Sequence, residues 1–206
     1  MNRDKHQWLS VLLHCGVRVQ VASTWAPIFA QVIGPNTFSK GDQELDDFLG
    51  QVLHESQLLE RLEENLNYTT PERLMAVWPK RFPTLADARP YVGNPEALAN
   101  RVYGGRLGNT TPGDGWRYRG SGLIQVTGAD NYRAVQAATG IPVYARPELL
   151  REATAENLRC CIAWWEGNVP DGVIDCVRRV TQAVNGGLHG LLDRERLTGE
   201  AGSKLA

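Results

Sequence analysis

Along most of the chain, apolar residues recur every three or four positions, which is typical of helices with one buried face. Residues 44–54 give the clearest example. Their apolar stripe consists of Leu45, Phe48, Leu49, Val52 and Leu53. Similar spacing, with prolines and capping residues at helix starts, predicts further helices. The predicted helices span roughly residues 5–14, 18–33, 43–56, 71–78, 84–90, 95–102, 129–139, 154–166, 172–185 and 189–198. We therefore expect a mostly α-helical protein whose tail, from Thr198 onward, frays.

One long stretch, residues 103–128, does not follow the helical pattern. It is rich in glycine, and the segment 116–119 interleaves aromatic and basic side chains: Trp116, Arg117, Tyr118 and Arg119. A loop of this length in a compact domain is usually functional or disordered, and its aromatic content argues against disorder. We interpret it as one wall of a ligand cleft. Packing of Trp116 and Tyr118 in the core remains an equally open alternative.

Within this stretch, residues 122–128 are predicted to form a short buried strand or extended segment. Alternation along a strand would place Gln125 and Thr127 on the same face. A helix that starts at Ala129 would bring Asn131 and Tyr132 alongside them. The pattern therefore predicts a cluster of hydrogen-bonding side chains at this point of the chain.

Composition narrows the possible classes of protein. The 206 residues fit one domain with two lobes, and they suffice to bury a substantial core. With 22 basic and 23 acidic side chains, the net charge of −1 offers no electrostatic basis for binding nucleic acid. No apolar run approaches the roughly 20 residues of a membrane span. The polar start has no secretory signal pattern, so we expect synthesis in a cytoplasm, and we expect a monomer.

The four cysteines are not spaced as metal ligands. The adjacent pair Cys160 and Cys161 faces different directions on a helix, and no Cys-x-x-Cys spacing occurs. We expect buried free thiols at these two positions and at Cys15 and Cys176.

Two glutamates, Glu55 and Glu64, are candidates for acid–base chemistry. Cleavage of a glycosidic bond needs one carboxylic acid and one ionised carboxylate. On one straight helix, nine positions correspond to about 13.5 Å of rise and about half a turn, so the two side chains would point to opposite faces. If both act, the helix must end near Glu55. The turn formers Asn65, Asn67 and 69–71 accordingly predict that Glu64 lies on a loop.

Spacing alone does not favour catalysis, because the simpler interpretation is two solvated surface carboxylates. Glu63 in particular has the same chemistry as its neighbour Glu64. A zinc protease would require His-Glu-x-x-His, but the residue one turn after His54 is Leu58. We therefore expect no metal ligand here, and we expect His54 to be a hydrogen-bonded structural histidine.

A series of ordered sequence blocks resembles glycoside hydrolase family 19, in its lysozyme-like bacteriophage endolysin branch. The matching blocks are residues 48–56, 62–68, 99–103, 113–120, 122–132, 184–187 and 193–194. Together they extend over most of the chain from about residue 45 to 195. Several blocks in the same order are far more specific than any one of them.

The resemblance implies a mostly helical, lysozyme-like domain with two lobes and a substrate cleft between them. It also implies roles for three residues: Glu55 as general acid, Glu64 as general base, and Thr127 as a holder of the attacking water. We expect Glu55 to be protonated and Glu64 ionised at working pH, with inversion at the anomeric carbon. Further substrate contacts are expected from Gln125, Asn131, Tyr132, Tyr68, Trp116, Tyr118, Arg119, Asn185 and Arg194. No metal or organic cofactor is required.

Two departures from the family pattern bear on the site. The family often has glycine soon after the His-Glu-Ser block, whereas Gln57 and Leu58 follow it here. In plant-type chitinases a glutamate after the Asn-Gly-Gly block supports the arginine, whereas His189 stands there in this chain. The second difference favours a phage-type enzyme over a chitinase.

The sequence thus predicts a peptidoglycan-degrading endolysin that hydrolyses the β-1,4 bond between N-acetylmuramic acid and N-acetylglucosamine and so lyses bacteria. A chitinase is the alternative in substrate, and a non-catalytic sugar-binding protein is the alternative in class. We expect residues 1–206 to form one catalytic domain without a separate wall-binding domain. The enzyme would reach the wall in the periplasm through a membrane pore, as in phage lysis, or by injection as an antibacterial effector.

Overall fold

The computed structural model describes residues 2–205, and this part of the chain is mostly helical, with no extended strand. Its α-helices are α1 (Lys5–His14), α2 (Val19–Val32), α3 (Leu45–Glu55), α4 (Pro71–Val77), α5 (Leu85–Ala88), α6 (Pro95–Tyr103), α7 (Asp114–Arg117), α8 (Ala129–Thr139), α9 (Ala155–Asn168), α10 (Val177–Asn185) and α11 (Leu191–Leu205). Short 3-10 helices span Gly41–Glu44, Arg89–Tyr91, Pro147–Arg151 and Asp171–Val173. The predicted fold class is confirmed.

Every predicted helix has a counterpart in the structure, while α7 was not predicted. The capping residues expected at helix starts also form hydrogen bonds in the structure. Thr70 caps α4 ahead of Pro71, and Thr154 caps α9 by accepting from the Asn157 amide. The predicted fraying after Thr198 is wrong. Helix α11 continues to Leu205 because Ala201 is fully buried, so packing holds this turn in place.

The buried side chains form two clusters. The larger cluster joins α1, α2, α3, α8, α9, α10 and α11, and includes all five residues of the predicted α3 stripe at 0% exposure. The smaller cluster lies within residues 66–102, on α4, α5 and α6. Leu62 packs against the larger cluster and Leu66 belongs to the smaller one, so Glu64 lies in the chain segment that joins the two.

Helix α3 packs most extensively against α11, and the two backbones approach closely at Gly50. A Cβ atom at this position would come within 2.0 Å of Thr198 Oγ1. Glycine is therefore required for this crossing. The close approach aligns the end of α3, which carries Glu55, with the first turns of α11.

Residues 122–128 form a tight turn, so the predicted strand is wrong. Ser121 pairs with Val126 through two backbone hydrogen bonds of 3.1 and 2.8 Å, and the backbone between them passes through left-handed conformations at Gly122 and Gln125. These conformations break the two-residue alternation of a strand. The turn nevertheless leaves Gln125 and Thr127 partly exposed near each other, as the sequence predicted.

Within residues 2–205, no helix is both long enough and apolar enough to cross a membrane.

Candidate active site

Glu55 is the last residue of α3, and its carboxylate is held by a buried arginine from α11. Arg194 Nη2 donates to Glu55 Oε1 at 2.5 Å, while Nη1 donates to Gln51 Oε1 at 2.5 Å. A third bond runs from Arg194 Nε to the backbone oxygen of His189 at 3.1 Å. The Arg194 side chain is 1% exposed and that of Glu55 is 21% exposed. The carboxylate is therefore fixed on one side and open to solvent on the other.

The end of α3 at Glu55 agrees with the expectation that the helix must end before Glu64. His54 is also hydrogen-bonded as expected, with Nδ1 2.7 Å from Asp193 Oδ2. Asp193 in turn accepts from Arg196 at 2.8 Å. This pairing and the Glu55–Arg194 pairing both link the end of α3 to the first turns of α11. An open cavity of about 440 Å³ adjoins Glu55 at this place.

The three residues 57–59, directly after the helix, all adopt positive φ angles. The angles are 50° at Gln57, 59° at Leu58 and 67° at Leu59. Side chains disfavour this left-handed region, by roughly 1–2 kcal/mol per residue. Leu59 is buried and Leu58 packs against the larger core, so apolar burial offsets strain at these positions. Gln57 is exposed and lines the cavity beside Glu55.

Glu64 lies on a loop, as predicted, and Tyr103 at the end of α6 binds it. The Tyr103 hydroxyl lies 2.7 Å from Oε1 and 2.9 Å from Oε2 of the carboxylate, to which it donates. Burial raises the pKa of Glu64 above its ordinary value. The Tyr103 hydroxyl, a backbone hydrogen bond from Gly120 and the charge of Arg119 act in the opposite direction. The Glu64 carboxylate is therefore half-buried and accepts hydrogen bonds.

Gly120 is the point at which the predicted polar cluster meets Glu64. Its backbone oxygen accepts from the Glu64 amide at 2.9 Å. A Cβ atom at Gly120 would lie 3.2 Å from Glu64 Cβ, 3.2 Å from Thr127 Oγ1 and 3.0 Å from Gln125 Oε1. Three predicted site residues therefore surround one glycine. Thr127 Oγ1 donates to the Gln125 carbonyl at 3.0 Å, which leaves its lone pairs available to a ligand.

Glu63, the rival of Glu64 in the sequence, has a structural partner. Its carboxylate pairs with the guanidinium of Arg119, which is almost completely buried. That guanidinium lies 3.6 Å from the ring centroid of Trp116, and its Nη1 donates to the Trp116 carbonyl at 2.7 Å. Arg119 therefore covers one face of Trp116. The partly buried indole has at most its other face for stacking on a sugar.

Two of the predicted contact residues are core residues. Tyr132 is 0% exposed and donates to the Arg119 carbonyl at 3.0 Å. Tyr118 is 3% exposed and stacks on Tyr144, with ring centroids 5.1 Å apart. Direct substrate contact by Tyr118 or Tyr132 is therefore excluded in this arrangement. Both rings support the backbone of the loop that carries Arg119 and Gly120.

The remaining predicted contact residues are accessible to different degrees. Asn131 is exposed, and its amide donates to the Thr127 carbonyl at 2.8 Å. Tyr68 is half-buried beside Trp78, and burial and the charge of Glu64 raise its pKa. Asn185 is exposed at the end of α10. Asn185 has no side-chain contact to Glu55 or Glu64 among the hydrogen bonds of the described chain.

The sequence pattern predicted no role for Tyr103 or Gln51, although both contact charged site residues. Tyr103 belongs to one of the blocks that carry the family resemblance, but nothing in the helical pattern marks its hydroxyl. Gln51 is completely buried and bonds Thr181 Oγ1 at 3.2 Å in addition to Arg194. A polar residue on the apolar stripe of α3 was the available signal. Residues 2–205 contain no group of three or more metal-ligating side chains placed to hold a metal ion.

Comparison with known proteins agrees with this fold. No protein-family model matches the chain. A Haemophilus influenzae protein described as "Glycosyl hydrolase family 19 domain-containing protein" is 36% identical over 179 residues, which cover 86% of each protein. The chain therefore belongs to glycoside hydrolase family 19, and it is a glycoside hydrolase.

Solved structures of chitinases share the fold. A crystal structure of a mutant of chitinase C superposes with a TM-score of 0.57, and chitinase C from Streptomyces griseus HUT6037 with a TM-score of 0.54. Each is 18% identical to this chain, and each match covers 98% of this chain and 91% of the chitinase.

Proposed function

We propose that the protein is a peptidoglycan hydrolase of the muramidase type, which cleaves the β-1,4 bond between N-acetylmuramic acid and N-acetylglucosamine with inversion. The observation that carries this proposal is the pair of differently held carboxylates. Glu55 ends α3 against a buried arginine, and Glu64 lies half-buried on a loop against a tyrosine. The two chemical roles of glycoside hydrolysis require two such different environments.

In this mechanism Glu55 is the general acid. Arg194 binds Oε1 and leaves Oε2 to carry the proton. Glu55 then protonates the glycosidic oxygen as the bond to the anomeric carbon breaks. The leaving sugar departs with its hydroxyl restored.

Glu64 is the general base. The Tyr103 hydroxyl and the Gly120 amide stabilise its ionised form and orient it. Its carboxylate accepts a proton from a water molecule that the Thr127 hydroxyl also binds. That water attacks the anomeric carbon on the face opposite to the leaving group, and the product has inverted configuration. Gln125 and Asn131 extend the polar side of the site towards the glycan.

Chitin is the second candidate substrate, because the solved structures with this fold are chitinases. Both polymers contain β-1,4-linked N-acetylglucosamine, so one pair of carboxylates serves either. In the preferred proposal the enzyme acts on the bacterial wall as a monomer. It reaches the periplasm through a membrane pore during phage lysis or by injection.

In the first experiment, the protein is incubated with purified Gram-negative peptidoglycan and, separately, with chitin oligomers. The product ends are identified by mass spectrometry. The variants are Glu55→Gln and Glu64→Gln. Glu60→Gln is the matched control, because Glu60 is an exposed acid of the same segment whose ion pair within residues 2–205 is with Arg18. We expect fragments with reducing-end N-acetylmuramic acid from the wild type and from Glu60→Gln. Loss of activity by about 100-fold or more is expected for the other two variants.

Three results would contradict parts of this proposal. Cleavage of chitin oligomers without release from peptidoglycan would make the protein a chitinase. Inactivity of the wild type on both polymers, with retained binding, would favour a sugar-binding protein. Nuclear magnetic resonance of fresh products tests the stereochemistry, since initial β-anomers would contradict inversion.

A further inference from the structure

We call the parts of the chain packed around the larger and the smaller cluster the larger and the smaller lobe. The smaller lobe contains a positively charged cavity that the catalytic scheme does not use. It has a volume of about 570 Å³ and lies directly after α4. Its lining residues are Val77, Trp78, Pro79, Lys80, Arg81 and Arg106. Half of these residues are cationic and none is acidic. The remaining lining is apolar and includes one indole ring.

The three cations around this cavity lack carboxylate partners. Within residues 2–205, no carboxylate lies within ion-pair distance of Lys80, Arg81 or Arg106, although nine other ion pairs occur there. Among the described residues, the Arg106 guanidinium donates only one weak hydrogen bond, of 3.4 Å, to the Val102 carbonyl. The whole chain has a net charge of −1, so this is a local excess of positive charge on a nearly neutral protein. Such a site favours anionic ligands.

The cavity is linked to Glu64 through two tyrosines, Tyr103 and Tyr68. Arg106 follows Tyr103 by three residues, and its amide donates to the Tyr103 carbonyl at 3.2 Å. On the other side, the Trp78 ring lies 5.1 Å from the ring of Tyr68. Tyr103 binds Glu64 directly, and Tyr68 experiences its charge. Two residues that line the cavity therefore contact tyrosines that interact with Glu64.

We propose that this cavity binds the carboxylates of the stem peptide that branches from N-acetylmuramic acid. The inference rests on the proposed function and deepens it, because it identifies what distinguishes peptidoglycan from chitin. Stem peptides carry several carboxylates, whereas chitin is uncharged. Lys80, Arg81 and Arg106 pair with the carboxylates, and Trp78 packs against the aliphatic parts of the peptide.

The test compares two forms of the same glycan: intact peptidoglycan, and strands from which an amidase has removed the stem peptides. The variant carries Lys80→Ala with Arg106→Ala, which retains Trp78. The control carries Lys5→Ala with Arg159→Ala, which removes the same charge from exposed residues of the larger lobe. We expect the variant to lose about fivefold in kcat/KM on intact peptidoglycan and nothing on peptide-free strands, as two exposed ion pairs predict. The control changes neither.

Equal losses on the two substrates, or no loss on intact peptidoglycan, would overturn the proposal. Binding provides a readout that does not need turnover. A soluble disaccharide-tetrapeptide is titrated into Glu55→Gln protein by calorimetry, and its affinity should fall when salt is raised about tenfold. Inorganic phosphate that competes as strongly as the muropeptide would indicate a nonspecific anion site and overturn the proposal.

The two proposals can fail separately. If the wild type hydrolyses neither polymer, the proposed function fails. In that case, the cavity proposal would still be supported if muropeptide binding is salt-sensitive and is lost on replacement of Lys80 and Arg106. If hydrolysis occurs and the muropeptide does not bind better than its peptide-free disaccharide, only the cavity proposal fails.

Discussion

Arg194 Nη2 lies 2.5 Å from Glu55 Oε1, although 139 residues separate them in the chain. The guanidinium also bonds Gln51 and the His189 carbonyl, so one buried cation connects α11, the loop before it and the last turns of α3. The same group holds the candidate acid and joins two elements of the core. We therefore expect the proposed activity and the stability of the fold to be coupled at this position.

Replacement of Arg194 should affect both properties. We expect Arg194→Met to lower the free energy of unfolding by about 2–4 kcal/mol, because Gln51 loses its partner and Glu55 its counter-charge. Activity should fall by at least 100-fold. Urea unfolding and peptidoglycan hydrolysis measure the two effects. The matched control is Arg196→Ala on the same helix, whose exposed ion pairs contribute at most about 1 kcal/mol. Similar losses of stability and activity in the two variants would contradict a particular role for the buried Arg194–Glu55 contact.

Tyr103→Phe tests the orientation of the candidate base. The hydroxyl lowers the pKa of Glu64, so its removal should raise that pKa further. Because the base acts in its ionised form, the acidic limb of kcat/KM should move to higher pH, and kcat should fall about tenfold. Tyr91→Phe removes the same atom from another tyrosine of the smaller lobe and should leave the profile unchanged. An unshifted acidic limb in Tyr103→Phe would exclude Glu64 as the group that titrates there.

Glu44 should make stability depend on pH. Its side chain is 1% exposed, and burial, together with the neighbouring Glu166 and Asp171 charges, raises its pKa to about 8. A carboxyl whose pKa is raised by folding contributes stability that is complete below its unfolded value, near 4.5. This contribution is lost as pH rises to about 8. We expect Glu44→Gln to be more stable than the wild type above pH 8, by on the order of 1–3 kcal/mol.

Urea unfolding at a series of pH values from about 5 to about 9 measures this dependence of stability on pH. The slope of stability against pH should be shallower in Glu44→Gln. Glu148→Gln is the control, since Glu148 is exposed, its pKa is lowered, and it stays ionised throughout this range. Parallel curves for the wild type and Glu44→Gln would refute the assignment of the slope to Glu44.

A substitution in the strained segment after Glu55 should raise the stability of the protein. Gln57 has a φ of 50° and an exposed side chain, so replacement by glycine removes strain without the loss of core contacts. We expect Gln57→Gly to raise the free energy of unfolding by about 0.5–1 kcal/mol, after allowance for the greater freedom of glycine in the unfolded chain. Gln57→Ala keeps a Cβ atom in the same conformation and should give no gain. The midpoints of thermal unfolding of the two variants are compared. Equal midpoints would contradict the strain argument.

Local physics was enough to predict the helices. The 3.6-residue period of apolar side chains, Thr70 with Pro71, and Thr154 as a cap are properties of neighbouring residues, so the sequence contains them completely. The end of α3 before Glu64 also followed from sequence, since one straight helix would separate the two carboxylates. Where local signals were ambiguous, as in residues 122–128, the strand prediction was wrong because left-handed backbone at Gly122 and Gln125 overrides side-chain alternation.

The amino-acid sequence by itself determined the helical class and the family, and it singled out Glu55 and Glu64 as the candidate pair of carboxylates. Only the tertiary structure decided which partners hold them. Arg194 and Tyr103 reach these carboxylates across 139 and 39 residues, and Tyr118 and Tyr132 are buried behind the loop instead of facing a ligand. Such contacts depend on how helices pack around two cores. Packing is a property of distant surfaces brought together, and no local pattern encodes it.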